Sequence, residues 1–272
     1  MTSTADKRER FLALHVPGTP LLLPNAWDGG SARIFEALGF QATATTSSGH
    51  AATLGRLDGT VTFDELVAHA AAMVAATELP VSADFENGFA DEPTAVADNV
   101  RIVAATGVAG LSIEDYTGRR DDPLYDLTLA TERIAAACAA TGDDGPAVVV
   151  TARAEKYLRG NPDLADTITR LQAYAAAGAH CVYAPGLSTL DDISAVVDAV
   201  DCPLNVLALP GVPTVAELAA VGVARISVGG GFSSVALSAA TRAARELLDD
   251  GTYGFWSGVT EGAFVRQALG PR

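Results

Sequence analysis

Eight times along the chain a short apolar run gives way to an alanine-rich segment with helical spacing, and this recurring pair constrains the fold more than any other feature. The apolar runs fall at 21–23, 42–46, 81–84, 110–113, 147–151, 181–183, 204–207 and 225–228. The helical segments lie near 31–38, 63–76, 94–105, 129–140, 164–177, 190–200, 215–221 and 234–249. The run at 147–151 has no polar alternation before Thr151, as expected of a parallel strand covered on both faces. Pro80, Pro146 and Pro203 stand just before the third, fifth and seventh runs, where a missing N–H costs nothing. Eight such units in about 230 residues match a closed (β/α)8 barrel in count and size. A doubly wound open sheet is the structural runner-up. No linker or longer repeat divides the chain, so residues 1–272 read as one domain. An amphipathic helix is expected at 7–14. The tail from 251 to 272, with Phe255, Trp256 and Phe264, is expected to pack on a neighbouring helix or another subunit.

Composition narrows the partners. The 49% hydrophobic fraction is ample for a large core. A formal charge of -15 with no basic stripe argues against nucleic acid and anionic membrane surfaces, which bind through clustered Lys and Arg. A small anion remains compatible, because one local Arg or metal ion overrides the global field. Cys138, Cys181 and Cys202 are scattered and odd in number, which fits a reduced cytoplasm. The polar opening at 2–10 lacks signal-peptide character, and no apolar run reaches the roughly 20 residues that span a bilayer.

In a barrel of this kind chemistry gathers at the C-terminal ends of the strands. The third run ends in Asp84-Phe85-Glu86, with two carboxylates at alternate positions and therefore on one side of an extended strand end. Like charges aimed at one point need a cation, a proton or open water. Gly88 lets the chain turn away. The fourth run also stops on acid, at Glu114-Asp115, and the fifth is followed by Arg153 and Glu155. Hard oxygen donors on adjoining strands suit Mg2+, with Mn2+ as the alternative. A 2-oxo acid would chelate such an ion, which would hold an enolate as it forms, while Arg153 clamps the substrate carboxylate; the alternative for Arg153 is a structural ion pair with Glu155 or Glu114. Ser47, Ser48 and Gly49 offer a second anion nest. His50 is a weaker acid-base candidate, and His15, His69 and His180 read as structural. Lys156 lies too far past its strand for a Schiff-base lysine. Gly229 to Gly231 after the eighth run read equally as a phosphate nest or as room at a crowded mouth.

Asn25-Ala26-Trp27-Asp28, Ser48-Gly49, Asp84-x-Glu86-x-Gly88, Ile113-Glu114-Asp115 and Ala152-Arg153-x-Glu155, in this order and spacing, resemble the isocitrate lyase and phosphoenolpyruvate mutase superfamily. The likeness spans Leu21 to Gly231. It implies a (β/α)8 barrel with a swapped last helix, a homodimer or homotetramer, Mg2+ near Asp84, Glu86 and Glu114, and a small anionic 2-oxo acid substrate held by Ser48, Gly49 and Arg153. Asp58 matches a loop aspartate that approaches the metal. The expected site therefore comprises Arg153, Asp58 and Glu114 as catalytic residues. Trp27, Ser47, Ser48, Gly49, Arg153 and Asn205 are the expected substrate contacts, and Asp84, Glu86 and Glu114 the metal ligands.

Departures from the family pattern shape the expected reaction. Where its lyases carry a cysteine and histidine on the loop after the fourth strand, this chain has Tyr116-Thr117-Gly118-Arg119-Arg120-Asp121-Asp122-Pro123. It thus resembles a carboxyvinyl-carboxyphosphonate phosphorylmutase-like member without the lyase cysteine loop. Tyr183-Ala184-Pro185-Gly186 also departs from the His-x-Ser of the mutases. The expectation is a Mg2+-dependent lyase acting on a short 2-oxo or 2-hydroxy acid. Oxaloacetate-like decarboxylation best suits a site without the thiol. The alternatives are a phosphoenolpyruvate or phosphonopyruvate mutase or phosphonate hydrolase, and a barrel that binds carboxylates without turnover.

Overall fold

The computed structural model describes residues 2–141, 147–159 and 162–271; Pro146 lies outside them. Eight parallel strands run as β1 (Leu21–Leu23), β2 (Thr43–Ala44), β3 (Val81–Asp84), β4 (Gly110–Glu114), β5 (Val149–Arg153), β6 (Cys181–Tyr183), β7 (Leu204–Leu207) and β8 (Arg225–Ser227). They pair in the order β1-β8-β7-β6-β5-β4-β3-β2. A parallel bridge between Asn25 and Ala44, with Ala26 N–H donating to the Ala44 carbonyl at 2.7 Å, joins the two outer members. The result is a (β/α)8 barrel.

The intervening helices are α2 (Gly29–Ala37), α3 (Ser47–Thr53), α4 (Phe63–Ala76), α5 (Pro93–Ala104), α6 (Leu127–Ala139), α7 (Leu164–Ala176), α8 (Leu190–Ala199), α9 (Val215–Ala220) and α10 (Gly231–Arg245), after an opening α1 (Thr4–Ala13). Capping fixes where several begin. Thr62 and Glu65 form a reciprocal capping box at α4, Thr214 and Glu217 at α9, and Pro93 supplies a preset φ at the first turn of α5. Apolar faces of α4 to α8 pack onto the strands in one continuous core. Among the described residues no helix is long and apolar enough to cross a membrane.

The N-terminal end of the barrel is plugged from below. Phe11 of α1 is fully buried with Leu21, Leu23, Ala42, Ala44, Ala109 and Val149. Its ring lies so close to Gly110 that a Cβ there would stand 2.5 Å from Phe11 Cε1 and 3.0 Å from the Val149 carbonyl. Only glycine lets that ring seat against β4.

Three expectations shift. The segment after β2 read as loop contains α3, started by Thr46, whose hydroxyl accepts from Gly49 N–H. β5 begins two residues later than its apolar run and extends through Arg153, which brings that side chain inside the sheet rather than beyond it. The last barrel helix, α10, starts earlier than expected and buries only Ser233. Val235, Leu237, Leu247 and Leu248 are exposed on it and on its continuation. The tail turns back through α11 (Gly262–Leu269), which packs on α2, and Arg33 of α2 donates to the Gly270 carbonyl.

Candidate active site

A cleft opens at the C-terminal ends of the strands and continues down the barrel axis. Its outer part, about 540 Å3, is lined by Ser47, Asp58, Glu86, Glu114, Tyr116, Arg120, Arg153 and Arg159, among others. Its inner part, about 170 Å3, shares Ser47, Asp58, Arg153 and Arg159 and adds Ser48, Asp84 and Tyr183. The acids of β3 and β4 and the arginine of β5 therefore meet, as the strand-end pattern requires.

Arg153 sits at the centre, in the ion pairs weighed as the alternative to a substrate clamp and in one more, with Asp84. Its Nη1 donates to Asp84 Oδ1 at 2.9 Å, its Nη2 lies 2.9 Å from Glu114 Oε2, and Nη2 and Nε reach Glu155 Oε1 at 2.7 and 2.9 Å. The expected substrate clamp is thus bound to three carboxylates of its own chain. Register explains this: Glu114 stands directly opposite Arg153 across the β4–β5 ladder, and Asp84 faces Ser112 one strand further. Asp84 is held a second time by Ser47 N–H, at 2.9 Å, which ties α3 to the cluster.

Glu86 is poised differently. It has a left-handed backbone, φ 45°, as has Phe89 at φ 54°, and such values in non-glycine residues store strain near sites. Its Oε1 is buried without a hydrogen-bond partner. Burial first, and then the charges of Asp84 and Asp58, push its carboxyl up to about 7. Burial likewise pushes Glu114 well above the usual carboxylate range, against the pull of Arg153.

The donor set is all hard oxygen, and an orphaned carboxyl oxygen in an acidic cleft is what a bound cation would relieve. Among the described residues no three His, Cys, Asp or Glu side chains converge into a ready set of ligands. The residues therefore fit only an ion that keeps several waters and draws few ligands from the protein.

Around this centre the structure separates the other expected residues. Asp58, Ser47 and Ser48 line the cleft. Gly49 does not; it lets α3 pack closely, since a Cβ would stand 2.6 Å from Thr46 Cγ2 and 2.8 Å from Trp27 Cβ. Trp27 stacks edge-on against Phe35 and lies behind the lining. Asn205, expected to touch substrate, is buried inside the barrel, where its Nδ2 donates to Ser227 Oγ at 2.9 Å and its Oδ1 accepts from Arg225 Nε at 2.9 Å. His50 stacks flat on His69 at 3.8 Å, away from the cleft. Lys156 pairs with Asp166 at 2.9 Å, which removes the Schiff-base reading.

Arg159 escaped the sequence reading, and Tyr116 and Arg120 were seen only as part of the loop after the fourth strand. Arg159 lies 3.4 Å from Glu155 and 4.0 Å from Glu114, and its guanidinium stacks over the Tyr116 ring at 3.9 Å. The four-residue spacing of Glu155 and Arg159 was the available signal, obscured because it falls in a loop.

Asp115 organises the cluster from behind. Fully within the protein, it accepts from Glu155 N–H at 2.8 Å, Tyr174 Oη at 2.7 Å and Arg170 Nη1 at 3.1 Å, locking the ends of β4 and β5 to α7.

The sequence pattern of phosphoenolpyruvate phosphomutase matches residues 11–248. The chain belongs to this family. It is one branch of the isocitrate lyase and phosphoenolpyruvate mutase superfamily, whose members are lyases and mutases. An uncharacterised Mycobacterium tuberculosis protein is 40% identical over 88% of this chain and 89% of its own length. A Bradyrhizobium oxaloacetate decarboxylase is 30% identical over 90% and 85%. The crystal structure of a Burkholderia cenocepacia protein described as a candidate lyase/mutase superposes with a TM-score of 0.94 at 45% identity, covering 98% of this chain and 97% of that one.

Proposed function

We propose that the protein is a divalent-metal-dependent lyase that breaks a carbon-carbon bond of a short 2-oxo or 2-hydroxy acid, with decarboxylation of an oxaloacetate-like acid, cleaved between C3 and C4, as the favoured form. One observation carries the reading: the cleft gathers hard oxygen donors and arginines, and among the described residues that line it there is neither a thiol nor an imidazole. Carbon-carbon cleavages that need a thiol or imidazole acid at the departing carbon lack one among the described lining residues. A decarboxylation does not, because CO2 leaves without a proton and water can protonate the product.

Asp84 and Glu114 would hold Mg2+ directly, and Glu86 through water. Bound there, the ion supplies positive charge to the substrate carbonyl oxygen. Arg159 and Arg120 have room to meet a substrate carboxylate, whereas Arg153 bridges Asp84 and Glu114 and keeps them aimed at one point. Ser47 and Ser48 orient the opposite end of the acid. Similarity to the oxaloacetate decarboxylase supports the same reading. The test is pyruvate release from a panel of 2-oxo and 2-hydroxy acids with and without EDTA. Turnover that is indifferent to EDTA, or none from any member, rejects it.

A phosphonate reading is favoured by one feature, the three arginines Arg120, Arg153 and Arg159 at the cleft, which suit a dianion. Phosphorus NMR on phosphonopyruvate decides it; an unchanged spectrum removes it.

We also propose that a second copy of the chain completes the barrel exterior. Helix α10 leaves its apolar side exposed, and beside β1 an open apolar cleft of about 540 Å3 exposes Leu22 and Leu38. Light scattering on wild type and L248E tests this, and a wild-type monomer would refute it.

A further inference from the structure

Below the acidic cluster the barrel interior is polar where barrels of this type are usually filled by branched apolar side chains. Two residues before Asp84, Glu114 and Arg153 on the same inward faces stand Ser82, Ser112 and Thr151. The layer they form lies about 7 Å deeper, at about 3.3 Å per residue. From β8 a single cation enters this layer: Arg225, only 3% exposed.

Every partner of Arg225 is neutral. Its Nε donates to Asn205 Oδ1 at 2.9 Å and its Nη1 to Thr151 Oγ1 at 2.9 Å, while Nη1 also meets His15 Nε2 at 3.2 Å. His15 cannot serve as a counter-charge. Its Nδ1 lies 2.8 Å from the Phe11 carbonyl, a contact that needs the proton on Nδ1 and leaves Nε2 as an acceptor. Burial and the Arg225 charge lower its pKa to about 3, so it is neutral. The other ionisable groups near Arg225 are Cys181 and Cys202, both kept as thiols by burial, and beside His15 stands His180, kept neutral by burial. The carboxylates above are engaged by Arg153 and Arg159.

No acceptor of the described chain lies within hydrogen-bond distance of Arg225 Nη2, whose two hydrogens remain for something else. Arg225, Ser82 and Ser112 all line the inner cavity of about 170 Å3. A buried guanidinium without a counter-charge is unfavourable, and the cavity has room for a small ligand, since a water occupies about 30 Å3.

We propose that this inner chamber is an anion site, in which Arg225 Nη2 and the hydroxyls of Ser82 and Ser112 hold one small monovalent anion, a halide or a single carboxylate group. The chamber is the inner end of the cleft, with Asp84 also on its lining, and anion binding beside Arg225 does not depend on the reaction assigned to the acids. The anion neutralises Arg225, fills the polar chamber and keeps the barrel axis closed beneath the cleft.

Crystals of the full chain grown in sodium bromide test this directly, with an anomalous peak expected beside Arg225. In parallel, thermal unfolding is followed in sodium bromide, sodium formate and sodium gluconate at equal concentration, gluconate serving as the bulky reference anion. A saturable rise in Tm with bromide alone identifies a halide site, and a rise with formate a carboxylate site. R225Q is expected to abolish the rise. If R225Q fails to fold, S82A/S112A serves instead, with apparent bromide affinity expected to fall about tenfold, as loss of hydrogen bonds to a charged group implies. No anomalous peak, together with bromide and formate no more stabilising than gluconate, would overturn the proposal and leave water in the chamber.

Discussion

Arg153→Met removes the guanidinium that joins three acids, and the structure sets the size of the effect. Glu155 is wholly buried; its Oε1 takes both Nε and Nη2 of Arg153, and its Oε2 has no hydrogen-bond partner, only Arg159 at 3.4 Å. Removing one partner of a buried pair leaves an uncompensated charge and costs about 3–5 kcal/mol. Asp84 keeps Ser47 N–H, and Glu114 keeps Arg159 at 4.0 Å, so the loss concentrates on Glu155. E155Q alone breaks the pair from the other side. In R153M/E155Q no buried charge is stranded there, so the double variant should be less destabilised than the sum of the singles by about 1.4 kcal/mol or more, a tenfold coupling. Urea unfolding monitored by circular dichroism measures all four proteins. Turnover should stay absent in R153M and in the double variant, because Asp84 and Glu114 lose the cation that aligns them. Additivity within about 0.5 kcal/mol, or a loss below about 1 kcal/mol in R153M, would refute the buried-pair account.

Other outcomes follow from local geometry. Gly110→Ala should cost about 1–3 kcal/mol by overpacking against Phe11, and F11L in the same chain should restore much of that, as urea midpoints would show; no rescue would mean the ring is not the obstacle. Glu86→Asn should raise stability by about 1 kcal/mol while lowering turnover, since Asn tolerates the left-handed backbone and removes a buried unpaired carboxyl. Thermal melts beside a pyruvate assay read both effects. Burial, and then the nearby His50, lowers His69 to about 4 in the folded state. The unfolded chain, near 6.5, therefore takes up a proton that the folded one refuses, and stability falls as pH drops from about 6.5 to 4, by about 1.4 kcal/mol per pH unit. Glu86, raised to about 7, pulls the opposite way, so the histidine effect is read as the difference in slope between wild type and H69N; equal slopes would refute it.

Much of this was legible in the chain. Strand count and the acids at 84, 86 and 114 were visible because period-two alternation and apolar runs are local consequences of how a strand exposes its two faces. Asp58, Ser47 and Ser48 line the cleft. Less legible were residues whose roles depend on a neighbour distant in sequence. For Arg153 the sequence offered a substrate clamp or an ion pair with Glu155 or Glu114 and could not choose, and the third partner, Asp84, was invisible because it belongs to another strand. Asn205 read as a mouth residue because its depth depends on β7 register against β8, where it meets Arg225. Short helix α3 was missed because its start rests on a single cap at Thr46.

What the sequence determined alone was therefore one-dimensional: which segments are strands, which face each side chain takes, and which strand ends carry charge. What only the tertiary structure decided was pairing: that one guanidinium satisfies three carboxylates, that Phe11 closes the floor against Gly110, and that Arg225 lies in the barrel with only neutral partners. The reason is physical. Backbone periodicity is written residue by residue, whereas the energy of a buried charge depends on what stands within a few ångströms of it, and that is set by how the eight strands register around the barrel.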